Sequence, residues 1–351
     1  MKIAIHPDKI GSESYSEKWA EFLGKRDIEV KWVDLTAVDA LEQVKGCDGL
    51  MWRTIHTPDD KQRAKRILYA IEKYLDIPVF PDHNTYWHYD DKIAQYYVLQ
   101  AAGIPTPQTW IFWNKNTALD WAKNTEYPKV FKLSAGAGSS NVIKVSSEAE
   151  AFTLIDKMFH RGAFPMTMNE YKPRIIPRNR HQLQATLSRI KQGLLYGLSA
   201  LYPPLPSSWW QPEKEYVYFQ EFIADNDYDT RIIVIGERAF GCIRRNRPRD
   251  FRASGSGLVE FDSRKIDKSA IELAFNAISK LKAQSLAFDI LIKKYKPVIV
   301  EISYTFPQYP PWRDFPGYWK PDLTWVERNM WPEEAQVEDF VKYIREIKNK
   351  R

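Results

Sequence analysis

The sequence predicts an α/β protein built from several subdomains, and three observations carry that expectation. Over the first 82 residues, short apolar runs alternate with amphipathic helical stretches, the signature of a small parallel sheet with helices packed on it. From residue 216 onward, apolar strand-like runs follow one another with one strong helix between them. A chain of 351 residues is long for a single core and suits two or three subdomains around a shared cleft.

Taken in order, "KIAIHP" reads as a strand ending in a polar turn, and "SYSEKWAEFLGKRD" carries helical spacing through Tyr15, Trp19, Phe22 and Leu23. "IEVKWVDL", "CDGLMWR" and "IPVFP" are strands, and "DKQRAKRILYAIEKYLD" is a long amphipathic helix, which completes an N-terminal domain over residues 1–82. "DDKIAQYYVLQAAGIPTPQTWIFW" is a helix stopped by Gly103, Pro105 and Pro107, followed by a strand. "ALDWAKNTEY" is a helix, and "PKVFKLSAGAGSSNVIKV" is two strands joined by a glycine-rich loop. A helix over about 147–160 closes a small subdomain at 83–160. Residues 161–215 are irregular, basic and aromatic, with one helix in "RHQLQATLSRIKQGLLYGL". In the last segment, 216–351, "YVYFQEFI", "DTRIIVIGERAFGCIRR", "SLAFDILIKK" and "KPVIVEISY" are strands, "KSAIELAFNAISKLKAQ" is a helix, and an aromatic extension containing "PGYWKPDLTW" follows. No internal repeat is present.

Hydrophobic residues make up 44% of the chain and aromatic residues 14%, so large rings are available to line a pocket. The balance of 51 basic against 45 acidic residues gives a net charge of +6, which suits an anionic ligand but not a dedicated nucleic-acid binder. Cys47 and Cys242 are far apart and lack metal-ligand spacing, so a reducing, cytoplasmic setting is expected without a disulfide framework or zinc site. The N-terminus lacks a signal-peptide core, and no apolar run approaches the ~20 residues of a membrane span.

Three constellations could carry chemistry. In "VFKLSAGAGSSNV", Lys132 followed by a Gly/Ser loop lets backbone amides and an ammonium approach a phosphate together; the alternative is a plain hairpin turn. Asp289 in "LAFDILI" and Glu301 in "VIVEISY" are carboxylates at otherwise apolar strand positions, and the turn "KKYKP" could set them side by side. Such a pair needs a cation or arginines against it; hard oxygen ligands suit magnesium, and a structural ion pair is the alternative. The third is the arginine-rich run with Asp229, Arg231, Arg244, Arg245 and Arg252, in which Arg247 and Arg249 flank Pro248 in a turn and are expected to be merely solvated. His83 and His88 in "PDHNTYWHYDDK" read as structural, with a gating segment as the alternative.

In chain order, "DDKIAQYYVLQAAGIPTP", "VFKL" with "GAGSS", "YFQEFI", "DTR", "FRASGSG", "FDI" and "EIS" resemble the ATP-grasp superfamily over residues 83–307, with the preceding unit similar to its Rossmann-like N-terminal domain. The resemblance is to the carboxylate-amine ligase type and its glutamate-ligase-like members. It implies nucleotide contacts from Lys92, Lys132, Gly136, Gly138, Ser139 and Ser254, adenine contacts from Gln220, Glu221, Phe222 and Ile223, and a ribose contact from Asp229. It implies that Arg231 and Arg244 or Arg245 face the phosphates and the reacting carboxylate, with Arg252 a further candidate for the oxyanion. Asp289, Glu301 and Ser303 stand at its magnesium-ligand positions, and Ser303 departs from the family's asparagine, as does Ser254. The implied activity is an ATP-dependent ligase using one or two magnesium ions to join a small carboxylate to an amine through an acyl phosphate. A phosphotransferase and a noncatalytic nucleotide-binding protein are the alternatives. "EISYTFP" and "PGYWKPDLTW" are similar to ATP-grasp proteins linked to bacterial surface polysaccharides, and the basic segment at 161–215 with Trp209 and Trp210 suits a sugar nucleotide or glycan. No nucleic-acid partner is expected, and a homodimer is compatible with the sequence.

Overall fold

The computed structural model describes residues 1–8, 14–136, 138–139, 141–165, 211–307 and 315–350. In chain order the strands are β1 (Lys2–His6), β2 (Glu29–Trp32), β3 (Gly49–Trp52), β4 (Val79–Phe80), β5 (Thr109–Phe112), β6 (Lys129–Lys132), β7 (Ile143–Val145), β8 (Val217–Glu221), β9 (Tyr228–Ile235), β10 (Arg238–Arg245), β11 (Val259–Glu260), β12 (Ser285–Lys293), β13 (Lys296–Ser303), β14 (Tyr318–Trp319) and β15 (Trp325–Val326). The helices are α1 (Tyr15–Gly24), α2 (Ala40–Val44), α3 (Pro58–Tyr74), α4 (His83–Tyr86), α5 (Lys92–Ala101), α6 (Lys115–Asn124), α7 (Glu148–Met158), α8 (Lys268–Leu281) and α9 (Pro332–Lys350). The chain packs as two units, Met1–Thr109 with Gln220–Arg351, and Trp110–Phe219. Residues 83–109, expected with the small subdomain, therefore pack in the larger unit.

The larger unit begins with the expected parallel sheet, in the order β2-β1-β3-β4. Ser14 starts α1 by accepting a hydrogen bond from the Glu17 amide. Pro58 sits at the start of α3, with Asp59 and Asp60 complementing the helix dipole. The second sheet of this unit runs β13-β12-β9-β10-β14-β15, with β11 on β10. The expected single strand "DTRIIVIGERAFGCIRR" is in fact a hairpin, because Gly236 and Glu237 form a two-residue turn between Ile235 and Arg238. Lys294 and Tyr295, both at positive φ, make the analogous turn between β12 and β13.

Helix α8 covers one face of this sheet, setting Ala270, Ile271, Ala274 and Ile278 into a core with Ile232, Val234, Leu286 and Phe288. Helix α9, which the sequence reading left inside an aromatic extension, joins α1 in a second core through Phe340, Ile344, Trp19 and Phe22. The Trp19 indole donates to Gln336 at 3.0 Å across that core. At Gly236, φ is +54, and an added Cβ would lie 1.8 Å from Asp339 Oδ2. Arg238 holds the other oxygen of Asp339 at 2.7 Å. Gly236→Ala is therefore expected to lower stability by about 1–3 kcal/mol, through positive-φ strain and displacement of that pair, as read by chemical denaturation.

The segment "PDHNTYWHYDDK" is built into the larger unit and does not hang as a gate. The Asp82 amide donates to Gln284 Oε1 at 2.9 Å, and the Gln284 amide donates to Thr85 Oγ1 at 2.7 Å. His88 is almost fully buried, and burial pushes its imidazole down to about 4. The folded chain keeps this ring neutral, whereas the unfolded chain takes up a proton below about pH 6.5. The contribution of His88 to stability is thus full above pH 6.5 and falls by about 3 kcal/mol as pH drops toward 4. In His88→Phe that part of the slope should disappear from a pH series of denaturation curves.

The smaller unit holds a sheet in the order β5-β8-β6-β7. Trp121 of α6 packs its ring 5.0 Å from Phe219 and 5.2 Å from Trp110. Residues 166–210, with the expected helix "RHQLQATLSRIKQGLLYGL" and with Trp209 and Trp210, lie outside the described residues.

Candidate active site

Side chains alternate across a strand, so residues two apart on one strand and those directly opposite on its neighbours share a face. Asp229 and Arg231 are two apart on β9. Arg244 lies opposite Asp229, Asp289 opposite Arg231, and Glu301 opposite Asp289. Four strands thus place five charged side chains on one face. Immediately beyond the Asp289–Glu301 pair the register slips, so that Ile290 faces Ile299, a bulge of the kind that re-aims side chains at strand positions.

The first four make a closed ion network. Arg231 grips Asp289 with Nε at 2.7 Å and Nη2 at 2.9 Å. Arg244 grips Asp229 with Nε at 2.7 Å and Nη2 at 2.6 Å, and its Nη2 also lies 2.7 Å from Asp289. Asp289 is 5% exposed and Arg244 4%. Burial alone would raise the Asp289 carboxyl, but the Arg231 and Arg244 charges together hold it well below the usual carboxylate range. Asp229 goes the other way, its burial outweighing Arg244 and raising it. The Arg244 guanidinium, despite burial, is held protonated by Asp289 and Asp229.

Glu301 is different. About a third of its side chain, 35%, is exposed, and its oxygen lies 3.3 Å from Nζ of Lys92, a buried lysine at the start of α5. Lys92, expected to contact nucleotide, here neutralises this acid. Across the face, three carboxylates (Asp229, Asp289, Glu301) meet three cations (Arg231, Arg244, Lys92).

Several expected roles change with this geometry. Both oxygens of Asp229, expected to hold a ribose, accept from buried Arg244. Arg244 and Arg245 are separated by the strand's alternation: Arg245 points to the other face and pairs with Glu260 at 3.1 Å. Arg252 is engaged by Asp250 at 2.6 Å. Arg247, expected to be merely solvated, donates to the Ser254 carbonyl at 2.8 Å and braces the "ASGSG" turn. The Ser303 hydroxyl, expected at a magnesium-ligand position, donates to the Thr305 carbonyl at 2.9 Å and accepts from the Thr305 amide at 3.2 Å, bracing its own turn. Gln220 is buried and donates to Thr109 Oγ1 at 3.1 Å. The Glu221 amide donates to the Gln108 carbonyl at 2.8 Å, while its carboxylate meets Lys293 at 2.6 Å. That amide is therefore not presented to an adenine. Phe222 meets Phe251 edge-to-face with centroids 5.6 Å apart, and Ile223 beside it is half-buried.

Among the described residues no group of three or more His, Cys, Asp or Glu side chains could hold a metal. The donor chemistry nevertheless fits one hard cation. A carboxylate has about four lone-pair sites, and three contacts from the arginines occupy Asp289. One site remains on Oδ1, directly across the ladder from partly exposed Glu301.

In the smaller unit, Lys132 ends β6 as a buried residue, and Gly136 and Gly138 take positive φ in the loop that follows, as does Ser139. A residue the sequence reading passed over anchors this loop. Glu213 accepts from the Ser134 amide at 2.9 Å and the Ala135 amide at 3.0 Å, with Tyr216 donating to the same carboxylate. The Ser134 and Ala135 amides, two and three residues after Lys132, therefore do bind an oxyanion, here a side-chain carboxylate. Lys129, also passed over, is buried with Nζ 4.9 Å from the Trp110 ring. Neither residue has a local motif to announce it.

Residues 207–307, which include every member of the ion network, match a family model described as a RimK-like ATP-grasp domain. The chain is 24% identical over 247 residues to the alpha-aminoadipate–LysW ligase LysX of Saccharolobus solfataricus, covering 70% of this chain and 72% of that protein. The RimK domain ATP-grasp protein of Sphaerobacter thermophilus superposes with a TM-score of 0.55 at 15% identity, over 97% of this chain and all of that one. The ATP-grasp ligase PsnB, solved with a minimal precursor, Mg and ADP, superposes with a TM-score of 0.55 at 10% identity, over 98% of each chain. The ATP-grasp fold accounts for the mixture of a parallel sheet and antiparallel sheets. No helix among the described residues is long and apolar enough to cross a membrane.

Proposed function

We propose that this protein is an ATP- and magnesium-dependent ligase that joins a small carboxylate to an amine and releases ADP. The observation that carries the reading is the charged face of β9, β10, β12 and β13 in a RimK-like ATP-grasp domain: buried arginines hold Asp289 rigid while Glu301 remains accessible beside it. The ligase named LysX and the ADP- and Mg-bound PsnB support the reaction class and the cofactors.

Glu301 and the remaining lone pair of Asp289 would hold one magnesium ion. That ion supplies charge neutralisation for transferring phosphate oxygens. The chain's own residues do the rest. Arg231 and Arg244 keep Asp289 ionised and fixed in direction, so no reorganisation is needed when charge develops. Lys92 keeps Glu301 aligned and tempers its charge. In the smaller unit, Lys132 and the loop with Gly136, Gly138 and Ser139 would receive phosphate oxygens, which would displace Glu213 from the loop amides. The substrate carboxylate would be activated as an acyl phosphate, and the amine would then expel phosphate.

The link to surface polysaccharide synthesis and to a sugar nucleotide or glycan rests on the sequence segments "EISYTFP" and "PGYWKPDLTW" and the basic stretch at 161–215. Turnover of ATP with magnesium, scanned over carboxylate and amine pairs, tests the ligase reading. ADP with free phosphate, dependent on both partners, is the expected result. ADP with a stable phosphorylated product would replace it with a phosphotransferase, and binding without turnover under any pairing would favour a noncatalytic protein.

A further inference from the structure

One charged group stands outside the ligase machinery with its hydrogen-bonding capacity unmet. In the order β2-β1-β3-β4 the chain leaves β1 toward one edge and continues from β3 toward the other, so the strand order reverses between β1 and β3. In open parallel sheets the loops diverge at such a point, and ligands bind in the crevice at the carboxyl ends of the strands. Asp8 follows β1 there, and Arg53 follows β3 directly.

The two differ in how well they are satisfied. Asp8 accepts from the Tyr15 and Ser16 amides, each at 3.1 Å, and from the Ser16 hydroxyl, so it is a completed cap on α1. Arg53 is 88% buried by side chain, being 12% exposed, and among the described residues both its Nε and its Nη1 are buried without a hydrogen-bond partner. Its nearest acid oxygen, on Asp8, is 3.8 Å from Nη1, and its guanidinium lies 5.1 Å from the Tyr15 ring. A buried guanidinium with unmet donors is expensive to retain unless an oxyanion completes it. The same crevice receives the chain leaving β13: the Tyr304 hydroxyl accepts from the Thr54 amide at 2.8 Å, and the Tyr15 hydroxyl donates to the Phe306 carbonyl at 2.8 Å. These contacts lie three and five residues beyond Glu301.

We propose that Arg53 is the receptor for an oxyanion on the substrate, a carboxylate or phosphate other than the reacting carboxylate, held at the switch point of the N-terminal sheet with Tyr15 as its wall. Calling this ligand a substrate rests on the ligase reading. The planar fork of the guanidinium suits a bidentate oxyanion, and the Tyr15 ring backs it at 5.1 Å. The reacting end of such a substrate would lie toward Glu301, because the segment Ser303–Phe306 connects the two places.

The test is thermal unfolding of the full chain titrated with succinate, glutarate and inorganic phosphate, for wild type and Arg53→Met. At least one anion is expected to raise the wild-type Tm, with an apparent Kd at least about tenfold weaker in R53M. A response to the dicarboxylates alone assigns a carboxylate, and a response to phosphate alone assigns a phosphorylated substrate. Without ligand, R53M should be no less stable than wild type, since it replaces an unsatisfied buried cation by an apolar chain; a purely structural Arg53 would predict a loss. Equal anion responses in both proteins, or none in wild type, overturn the proposal. Should R53M fail to fold, Arg53→Lys keeps the charge without the fork: weakened anion binding supports the site, and wild-type binding overturns it. ATP with magnesium should shift wild type and variant alike. If it shifts neither while the anion difference persists, the ligase reading falls and the anion site stands.

Discussion

Arg244→Met is expected to destabilise the larger unit by about 3–5 kcal/mol, among the largest losses a single substitution in this chain can cause. Arg244 touches both Asp229 and Asp289, and it is almost fully enclosed. Removing it leaves two carboxylates buried on neighbouring strands with Arg231 alone against them. The loss should appear in denaturant unfolding followed by tryptophan fluorescence. The double variant Asp229→Asn with Arg244→Met should recover part of it, because one of the two stranded charges is gone; a double variant as unstable as the sum of the singles would show that the network is not coupled. The acid limb tests the same network. The folded Asp289 carboxyl lies below its unfolded value, so the stability it contributes is present above about pH 4 and is lost as pH falls through the folded value. In Arg244→Met, with one of its two cations removed, that loss should begin at higher pH.

Glu301→Gln should behave in the opposite way, leaving stability nearly unchanged and removing turnover. Its side chain is a third exposed and, among the described residues, its one ionic partner is Lys92 at 3.3 Å, so the folded state loses little. The hard anionic ligand for magnesium is lost, and turnover should fall at least about a hundredfold. Magnesium binding followed directly by calorimetry in the presence of a nonhydrolysable ATP analogue should weaken in parallel. Full magnesium affinity in Glu301→Gln would remove Glu301 from the metal site. Together the two variants separate a residue that holds the site's shape from one that acts in it.

The residues of this site were legible one at a time. Asp289 and Glu301 announced themselves because carboxylates are costly at apolar strand positions, and the arginine run stood out by its density. Their partnerships were not legible. The sequence reading assigned Asp229 to a ribose and Arg231 and Arg244 to phosphates, whereas the folded chain turns them on one another. Glu213 and Lys129 were invisible because their partners lie far along the chain or across a strand. Arg53 carried no signal at all, since an arginine after a strand is ordinary until its donors are seen to be buried and unmet.

The sequence by itself determined the local elements and most of their order: the parallel βα alternation of the N-terminal sheet, the helix at α8, the paired strands β6 and β7 around the glycine loop, and the β12–β13 turn. These follow from periodicity, capping and turn chemistry, which act over a few residues. Only the tertiary structure decided which charges meet. The Gly236–Glu237 turn folded one expected strand into two and brought Arg244 opposite Asp229. The bulge after the Asp289–Glu301 pair interrupted the register beside it, and the cap at Asp8 left Arg53 with unmet donors. Strand register and helix docking are set by burial summed over many distant residues, so electrostatic partnership, unlike secondary structure, is a property of the whole packed unit.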